Sequence, residues 1–212
     1  MKKIVFTSAL LIAGFAVITA FRSEPATTTS VTPPSNNAVV KWVVDKSHSN
    51  VKFTVTHMVV SEVEGSFKNF EGTVEHSAPD FSDAKVNFTV DVTSIDTDNE
   101  RRDGHLKSDD FFNAEKYPQM KFVSTSMQST GGKNYKLNGN LTIRDITKPV
   151  SFDVTFGGTV TNGGKTKAGF KAKTTINRFD YNLKWDRATE AGSLVVEKEV
   201  AVQLNLELDR VP

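Results

Sequence analysis

The sequence contains no cysteine among its 212 residues. The protein therefore has no disulfide, no thiolate for catalysis, and no N-terminal cysteine for lipid modification. A Gly-x-Ser-x-Gly elbow, the turn that exposes the nucleophilic serine of many hydrolases, is also absent. These patterns predict no catalytic residue.

An excess of one charge is missing as well. The chain has 26 Lys and Arg against 25 Asp and Glu, and loss of Lys2 and Lys3 with the first twenty residues would leave 24 against 25. A nucleic-acid-binding domain would carry a basic excess, and so would a surface held to anionic lipid by charge. We therefore predict no nucleic-acid partner, and transient contact with a membrane is left open.

Histidines are few, and their spacing does not favour a metal site. The four are His48, His57, His76 and His105, and none pair as His-x-His or His-x-x-x-His. His57 continues the parity of an apolar strand, where a lone histidine is more often a hydrogen-bonded core residue than a ligand. We predict neither a bound metal nor a cofactor.

The N-terminal segment has the pattern of an export signal. Lys2 and Lys3 precede an uncharged run up to Phe21, and Ile18-Thr19-Ala20 offers a small-residue cleavage site, so we predict a signal peptide over 1–20. The alternative is an uncleaved membrane anchor, since the run is about long enough to span a bilayer. Thr, Ser and Pro dominate the next residues, which predicts a flexible tether over 21–38 and a single domain over 39–212.

Alternation of apolar and polar residues with a period of two runs through this domain. Such a pattern predicts strands with one apolar face, and many strands in succession favour an antiparallel sheet closed into a barrel. Paired glycines at 131–132, 157–158 and 163–164 predict tight reversals. The predicted strands are 39–45, 49–58, 62–76, 84–94, 118–128, 134–144, 149–160, 166–177 and 195–209.

One segment interrupts the β pattern. Thr97-x-x-Glu100 has the form of a capping box, which predicts a short helix through Leu106. Ser108 to Phe112 predicts a second helical turn, and Pro118 opens the next strand. A helical insertion of this kind is expected to cover one end of the barrel.

The residues of inward parity predict the lining of the lumen. Gly139, Ala168 and Ala172 thin that lining and favour a cavity, although a packed core is the alternative. Leu106, Phe111 and Phe112 of the insertion are expected to face the same space. The predicted ligand-binding residues are Phe53, Val55, Phe88, Val90, Leu106, Phe111, Phe112, Phe122, Gly139, Leu141, Phe152 and Phe170.

Positive charge is concentrated on the insertion. Arg101, Arg102 and His105 are candidates for binding a ligand headgroup, because arginine suits phosphate geometry. The alternative is a solvated helix face with the arginines paired to Asp98 or Asp103. Elsewhere, Arg178 with Asp180 and Asp186 with Arg187 are expected to form ion pairs.

Several short motifs are spread over essentially all of 40–209. They are Asp45-x-x-His48-Ser49-x-Val51-x-Phe53, Gly65-x-Phe67, Ser94-Ile95-x-Thr97, Arg102-Asp103-x-His105-Leu106-x-Ser108-x-Asp110-Phe111-Phe112, Tyr117-Pro118-x-Met120-x-Phe122, Gly139-x-Leu141-Thr142-Ile143-Arg144, Thr147-Lys148-Pro149-Val150 and Ile176-Asn177-Arg178-x-Asp180. Together these motifs resemble the YceI-like family. Two positions depart from the family pattern, Asp145 and Asn182, where glycine is usual; both are plausible at turns that tolerate a left-handed φ.

The resemblance implies an all-β fold, an extended eight-stranded antiparallel lipocalin-like barrel with a short helical insertion. It also implies a polyisoprenoid lipid in the lumen, of the quinone or polyprenyl phosphate type, a periplasmic location and a link to envelope stress. We expect an exported, non-enzymatic carrier or sequestering protein. The alternatives are an enzyme acting on such a lipid and a filled-barrel structural protein, and a homodimer is left open.

The export signal leads to a first prediction. If residues 1–20 are cleaved, the protein purified from its native cells begins near Phe21 and is found in the soluble periplasmic fraction. Intact-mass measurement on that protein locates its N-terminus. A full-length species in the membrane fraction would support the anchor instead.

Overall fold

Eleven strands and one α-helix form the described part of the chain, residues 38–188, 192 and 194–212, in a computed structural model. The predicted signal peptide and all but the last residue of the predicted tether lie outside the described residues. Within the described part, no helix has the length and hydropathy needed to cross a membrane. The elements are β1 Val40–Val44, β2 Asn50–His57, β3 Ser61–Phe67, β4 Phe70–His76, β5 Lys85–Asp91, β6 Ile95–Asp96, α1 Glu100–Lys107, β7 Gln119–Gly131, β8 Asn134–Ile143, β9 Ile146–Asn162, β10 Lys165–Asn177 and β11 Val196–Arg210.

Eight strands close into a ring, which confirms the predicted barrel. Its order is β1-β4-β5-β7-β8-β9-β10-β11, and β11 pairs back onto β1 through Val44 and Leu208. The remainder of the same β11 edge, Val196 to Asn205, pairs with β2. Strands β1 and β2 therefore follow one another along β11, separated by a short 3-10 turn at Lys46–His48.

The segment predicted as one strand over 62–76 is two strands. β3 pairs with β2 and β4 pairs with β1, and the chain breaks between them at Lys68 and Asn69. The break lies beside the turn between β1 and β2. The β3–β4 segment therefore bends at the same place as the β1–β2 segment with which it pairs. Alternation alone does not show this bend, because the period of two is the same on both sides of it.

A loop closes one end of the barrel, which we call the floor. Phe81, in the loop between β4 and β5, is buried and its ring centroid lies 4.0 Å from that of His76 and 5.2 Å from that of Phe170. His76 Nε2 accepts a 2.9 Å hydrogen bond from Trp42 Nε1, and Tyr135 Oη donates to the Asp80 carbonyl at 2.7 Å. The floor is thus a packed aromatic layer whose polar atoms are paired.

At the opposite end, which we call the helix end, the chain passes through the short strand β6 to α1. β6 pairs only with β3, whereas β5 pairs with β7, and α1 follows β6 directly. The predicted Thr97–Glu100 capping box is wrong: Asn99 caps α1 by accepting a 3.0 Å bond from Arg102 N. Asp98, at a φ of +57°, shifts the helix start, and residues 108–112 form hydrogen-bonded turns with no second helix.

Two predicted reversals are confirmed and one is wrong. Gly131–Gly132 and Gly163–Gly164 turn between paired strands, but Gly157 and Gly158 lie inside β9. There the register against β10 shifts at Gly169, so these glycines form a β-bulge, which needs the φ of +120° at Gly158. Of the two departures from the family pattern, Asn182 has a φ of +62°, whereas beside Asp145 it is Arg144 that adopts the left-handed conformation.

An ion cluster joins the β1–β2 bend to β10 and β11. Lys167 Nζ lies 2.7 Å from Asp45 Oδ2, 2.7 Å from Glu207 Oε1 and 2.9 Å from Asp209 Oδ1. The hydrogen bond from Lys167, with others from Ser47 and His48, holds the pKa of Asp45 well below its usual value. The same carboxylates raise the pKa of Lys167, so both groups are charged across the physiological range.

Replacing this lysine tests the cluster. Lys167→Met should lower the free energy of unfolding at pH 7, because three neighbouring carboxylates lose their shared cation. A depressed folded-state pKa stabilises above the unfolded value and its contribution disappears on acidification, so the difference between variant and wild type should shrink below about pH 4. Urea unfolding at pH 7 and pH 3 measures the difference in the free energy of unfolding between the variant and the wild type. A difference that stays constant with pH would mean the lysine acts through packing alone.

Candidate functional site

An apolar cavity of about 200 Å³ runs inside the barrel from above the floor to the helix end. Its walls come from β2, β3, β5 and β7–β11, whose inward residues are opposed in register, such as Phe88 with Phe122 and Leu137 with Phe152. Directly opposed residues of an antiparallel pair share one face of the sheet, so the alternation places these rings in one space. The barrel is therefore not filled by its own side chains.

Ten of the twelve residues predicted to bind a ligand line this cavity. Their arrangement follows from inward parity for the strand residues and from the turns after α1 for the others. Contact with a ligand stays a prediction for all of them. The ten are Phe53, Val55, Phe88, Val90, Leu106, Phe111, Phe112, Phe122, Leu141 and Phe152.

Gly139 faces inward but does not line the cavity, because the ring of Phe122 covers it. A Cβ built at Gly139 would overlap that ring and lie 2.6 Å from the Val123 carbonyl oxygen. The glycine lets an aromatic ring pack flat on the backbone of β8, and it does not enlarge the lumen. Our reading of Gly139 as a gap in the lining is wrong.

Phe170 also lies outside the cavity. Its ring packs against Phe81 and Phe156, with centroids 5.2 Å and 5.0 Å away, and so belongs to the floor. Ala168 is buried at this level too, whereas Ala172, four residues along β10, lines the cavity. Parity gives the face of a residue but not its height along the barrel, and here the floor loop decides the height.

The predicted headgroup residues Arg101, Arg102 and His105 do not line the cavity. Arg102 donates to the hydroxyl and the carbonyl of Thr97, at 2.7 Å and 2.5 Å. Arg101 is exposed, and His105 pairs with Asp110 at 2.9 Å. The expected pairing of the arginines with Asp98 or Asp103 is wrong as well, since Asp103 accepts instead from Thr97.

Arg178 is the buried cation at the cavity wall, and the sequence analysis missed it. The residue is 4% exposed. Nε donates to the Glu197 carbonyl at 3.0 Å, Nη1 to those of Leu183 and Trp185 at 2.6 Å and 2.8 Å, and Nη2 to that of Val196 at 2.8 Å. No carboxylate of the described residues pairs with it, so the expected ion pair with Asp180 is wrong, as is Asp186 with Arg187.

The surroundings of Arg178 explain its charge state and its role. Burial lowers the pKa of the guanidinium, but arginine keeps its proton in proteins. Four of its five N–H groups bond carbonyls of the chain that closes the helix end, and the fifth, on Nη2, has no acceptor among the residues that the structure describes. The signal was available in the sequence: Arg178 continues the inward parity of Ala172, Thr174 and Ile176, one residue beyond the end of β10.

A group of possible metal ligands lies outside the cavity, at the β1–β2 bend. Asp45, His48 and Glu207 place one ligand atom each within 4.8 Å of one another. The ammonium of Lys167 already lies 2.7 Å from both carboxylates. A divalent cation would have to displace it, so these residues do not fit a resident metal.

The closed ring, the apolar lumen and the covered ends define the class of small lipocalin-like barrels. The profile of the YceI-like domain matches residues 42–208. A UPF0312 protein of Staphylococcus aureus strain MSSA476 is 36% identical over 171 residues, 80% of this chain and 97% of that protein. The chain belongs to the YceI-like family.

Solved structures share the fold. A Campylobacter jejuni YCEI protein superposes with a TM-score of 0.64 at 30% identity, covering 80% of this chain and 97% of that one. BcnA of Burkholderia cenocepacia gives 0.64 at 28% identity, over 77% and 98%. A polyisoprenoid binding domain from Saccharophagus degradans, implicated in plant cell wall breakdown, gives 0.57 at 15% identity, over 79% and 97%, which shows the fold alone.

Filling the lumen tests whether the cavity is the binding site. Ala172→Leu adds three carbons at the middle of the cavity wall, so binding of an apolar ligand should fall at least about tenfold. Ala201→Leu on the exposed face of the neighbouring β11 is the matched control, and its affinity should be unchanged. Quenching of the intrinsic fluorescence of Trp42 and Trp185 by menaquinone-4 provides the titration. Equal affinities for the two variants would place the ligand elsewhere.

Proposed function

We propose that this protein binds the chain of an isoprenoid lipid in its lumen and carries it without converting it. The observation that supports the proposal most directly is the apolar cavity, which extends from the floor to the helix end. A flexible, branched hydrocarbon chain matches a space walled by phenylalanine, leucine and valine. A polyisoprenoid binding domain of the same fold points to the same ligand class.

The energetics suit a carrier. Burial of one CH₂ contributes about 0.8 kcal/mol, so a five-carbon isoprene unit contributes roughly 3–4 kcal/mol. The ordering of a long chain opposes this gain. A bilayer offers the same burial, so transfer between membrane and lumen is expected to be nearly neutral. The cavity is smaller than the roughly 300–1,000 Å³ of typical ligand pockets, so a long chain requires the lining to move.

Arg178 supports an electron-rich headgroup at the helix end. No carboxylate of the described residues lies within ion-pair distance of it, although Asp186 and Glu197 are near enough to oppose the lowering of its pKa, and one N–H on Nη2 has no acceptor among those residues. A quinone carbonyl or a phosphate oxygen would accept from it. The enzyme alternative has less support, because the described residues that line the cavity include Lys52, Lys121 and Arg178 but no carboxylate or histidine.

Export completes the proposal. The charged start and apolar run of residues 1–20 favour secretion across the inner membrane into the periplasm. A carrier there would move or sequester lipid between membranes.

Identification of bound lipid is the deciding experiment. Protein purified without detergent should contain an isoprenoid at up to one molecule per barrel, detected by mass spectrometry of a solvent extract. Ala172→Leu purified in parallel should contain much less, and Ala201→Leu the wild-type amount. Incubation of the loaded protein should leave the lipid chemically unchanged. An empty wild-type barrel would support the structural alternative, and a converted lipid would support the enzyme.

A headgroup series tests Arg178. Geranylgeraniol, menaquinone-4 and geranylgeranyl diphosphate share one C20 chain, so differences in their affinity report the head alone. The cation should favour the diphosphate, and raising the salt concentration should weaken that preference. In Arg101→Gln/Arg102→Gln the order should be retained, because neither side chain reaches the cavity. If that variant lost the preference for the diphosphate, headgroup binding would be assigned to the arginines of α1 instead.

A further inference from the structure

The turn between β2 and β3 exposes three consecutive large apolar residues. Met58, Val59 and Val60 are 47%, 61% and 85% exposed. The other large exposed apolar residues of the described chain, such as Val123 and Val160, are scattered singly along it. Single exposed valines are ordinary on a protein surface, whereas a contiguous exposed group indicates an interaction site.

The backbone of this apolar tip, residues 58–60, is strained. Met58 has a φ of +50° and Val59 a φ of +64°, in the left-handed region. A β-branched residue there is unusual, and glycine or asparagine would serve a tight turn at lower cost. The valine is therefore not explained by the turn itself.

The tip adjoins the cavity at the helix end. Met58 N donates to the Val195 carbonyl at 2.9 Å, and His57 pairs with Val196, which lines the cavity. Arg178 holds the carbonyl of the same Val196. The apolar tip is thus one residue away from the wall of the lumen.

We propose that the apolar tip inserts into a lipid bilayer and docks the helix end of the barrel on the membrane for exchange of its cargo. The membrane context rests on the proposed function, whereas the exposure of residues 58–60 does not depend on it. Three side chains are too few for a stable protein interface, which buries at least about 1,000 Å² in total. They suffice for shallow insertion into the interfacial region of a bilayer.

The charges beside the tip indicate which kind of lipid bilayer it would enter. Glu62 and Glu64 follow it on β3 and Arg187 lies beside Val195, all three exposed, so the local charge is mixed, and there is no basic excess in the chain as a whole. Attraction to anionic lipid is therefore not the driving force. Insertion should occur on zwitterionic membranes and depend little on salt.

The absence of cysteine allows a site-specific test on the exported protein, in which the apolar run of residues 1–20 is no longer present to enter vesicles by itself. Val60→Cys carries an environment-sensitive NBD label at the tip, and Val160→Cys, 60% exposed on β9, carries it as the control. On addition of pure phosphatidylcholine vesicles, the label at position 60 should brighten several-fold and shift to the blue. The label at position 160 should not respond. Doxyl-labelled lipids should quench only the first, and a higher salt concentration should leave its response in place.

A second variant separates the tip from the fold. Val59→Asn/Val60→Ser removes two apolar side chains and suits the left-handed φ, so vesicle partitioning should fall at least about tenfold while the melting temperature does not. Val123→Ser/Val160→Ser is the matched control and should partition as wild type.

The outcomes distinguish the alternatives. Equal responses at positions 60 and 160, or unchanged partitioning of the tip variant, would overturn membrane insertion. Brightening at position 60 on adding unlabelled protein without vesicles would overturn it in favour of a second copy. Geranylgeraniol binding, measured in solution without vesicles, tests the proposed cargo separately, so loss of that binding is a failure of the proposed function and not of the tip.

Discussion

Closure of the ring through β11 is the constraint on which the rest of the structure depends. This strand pairs on one side with β10 and on the other with β1 and β2 in succession. A closed ring has no free edge, and the two-residue period then divides each strand into an inner and an outer set. The apolar lumen follows from closure, because the inward residues of the strands face one another, and Leu106, Phe111 and Phe112 complete the lining at the helix end.

The two ends of the ring are closed by different physical means. The floor consists of packed rings around Phe81, and its few polar atoms are paired within the layer. The helix end depends on backbone carbonyls held by the buried guanidinium of Arg178. Breaking the floor would expose apolar rings to water, whereas opening the helix end would exchange carbonyl–arginine bonds for bonds to water or to a ligand.

The sequence predicts the wall of the barrel much better than its ends. Parity places Phe53, Phe88 and Phe152 inward because strand geometry allows little else. It fails for Phe170 and Gly139, where the height along the barrel and the neighbouring ring decide what is exposed to the lumen. The height is set by the floor loop, a contact distant in sequence that no local pattern contains.

The errors at the helix end have a related cause. Charge on α1 suggested a headgroup site, but the arginine nearest to the lumen is the one that satisfies the inward parity of β10, and Arg102 is used to hold Thr97. A strand pattern read one residue beyond its end would have selected Arg178. The capping residue was missed by two positions, because the left-handed Asp98 separates Thr97 from the helix it was expected to start.

The asymmetry of the ends gives the barrel a direction. A chain that enters a lumen with a fixed aromatic floor must enter and leave at the other end, where polar bonds rather than packed rings keep the closure in place. The buried cation Arg178 lies at the helix end and not at the floor, so the proposed electron-rich head would lie at that end with its apolar chain inside. The exposed apolar tip lies at this same end, next to Val196. The entry, head recognition and membrane contact that we propose would thus all lie at the helix end of the barrel.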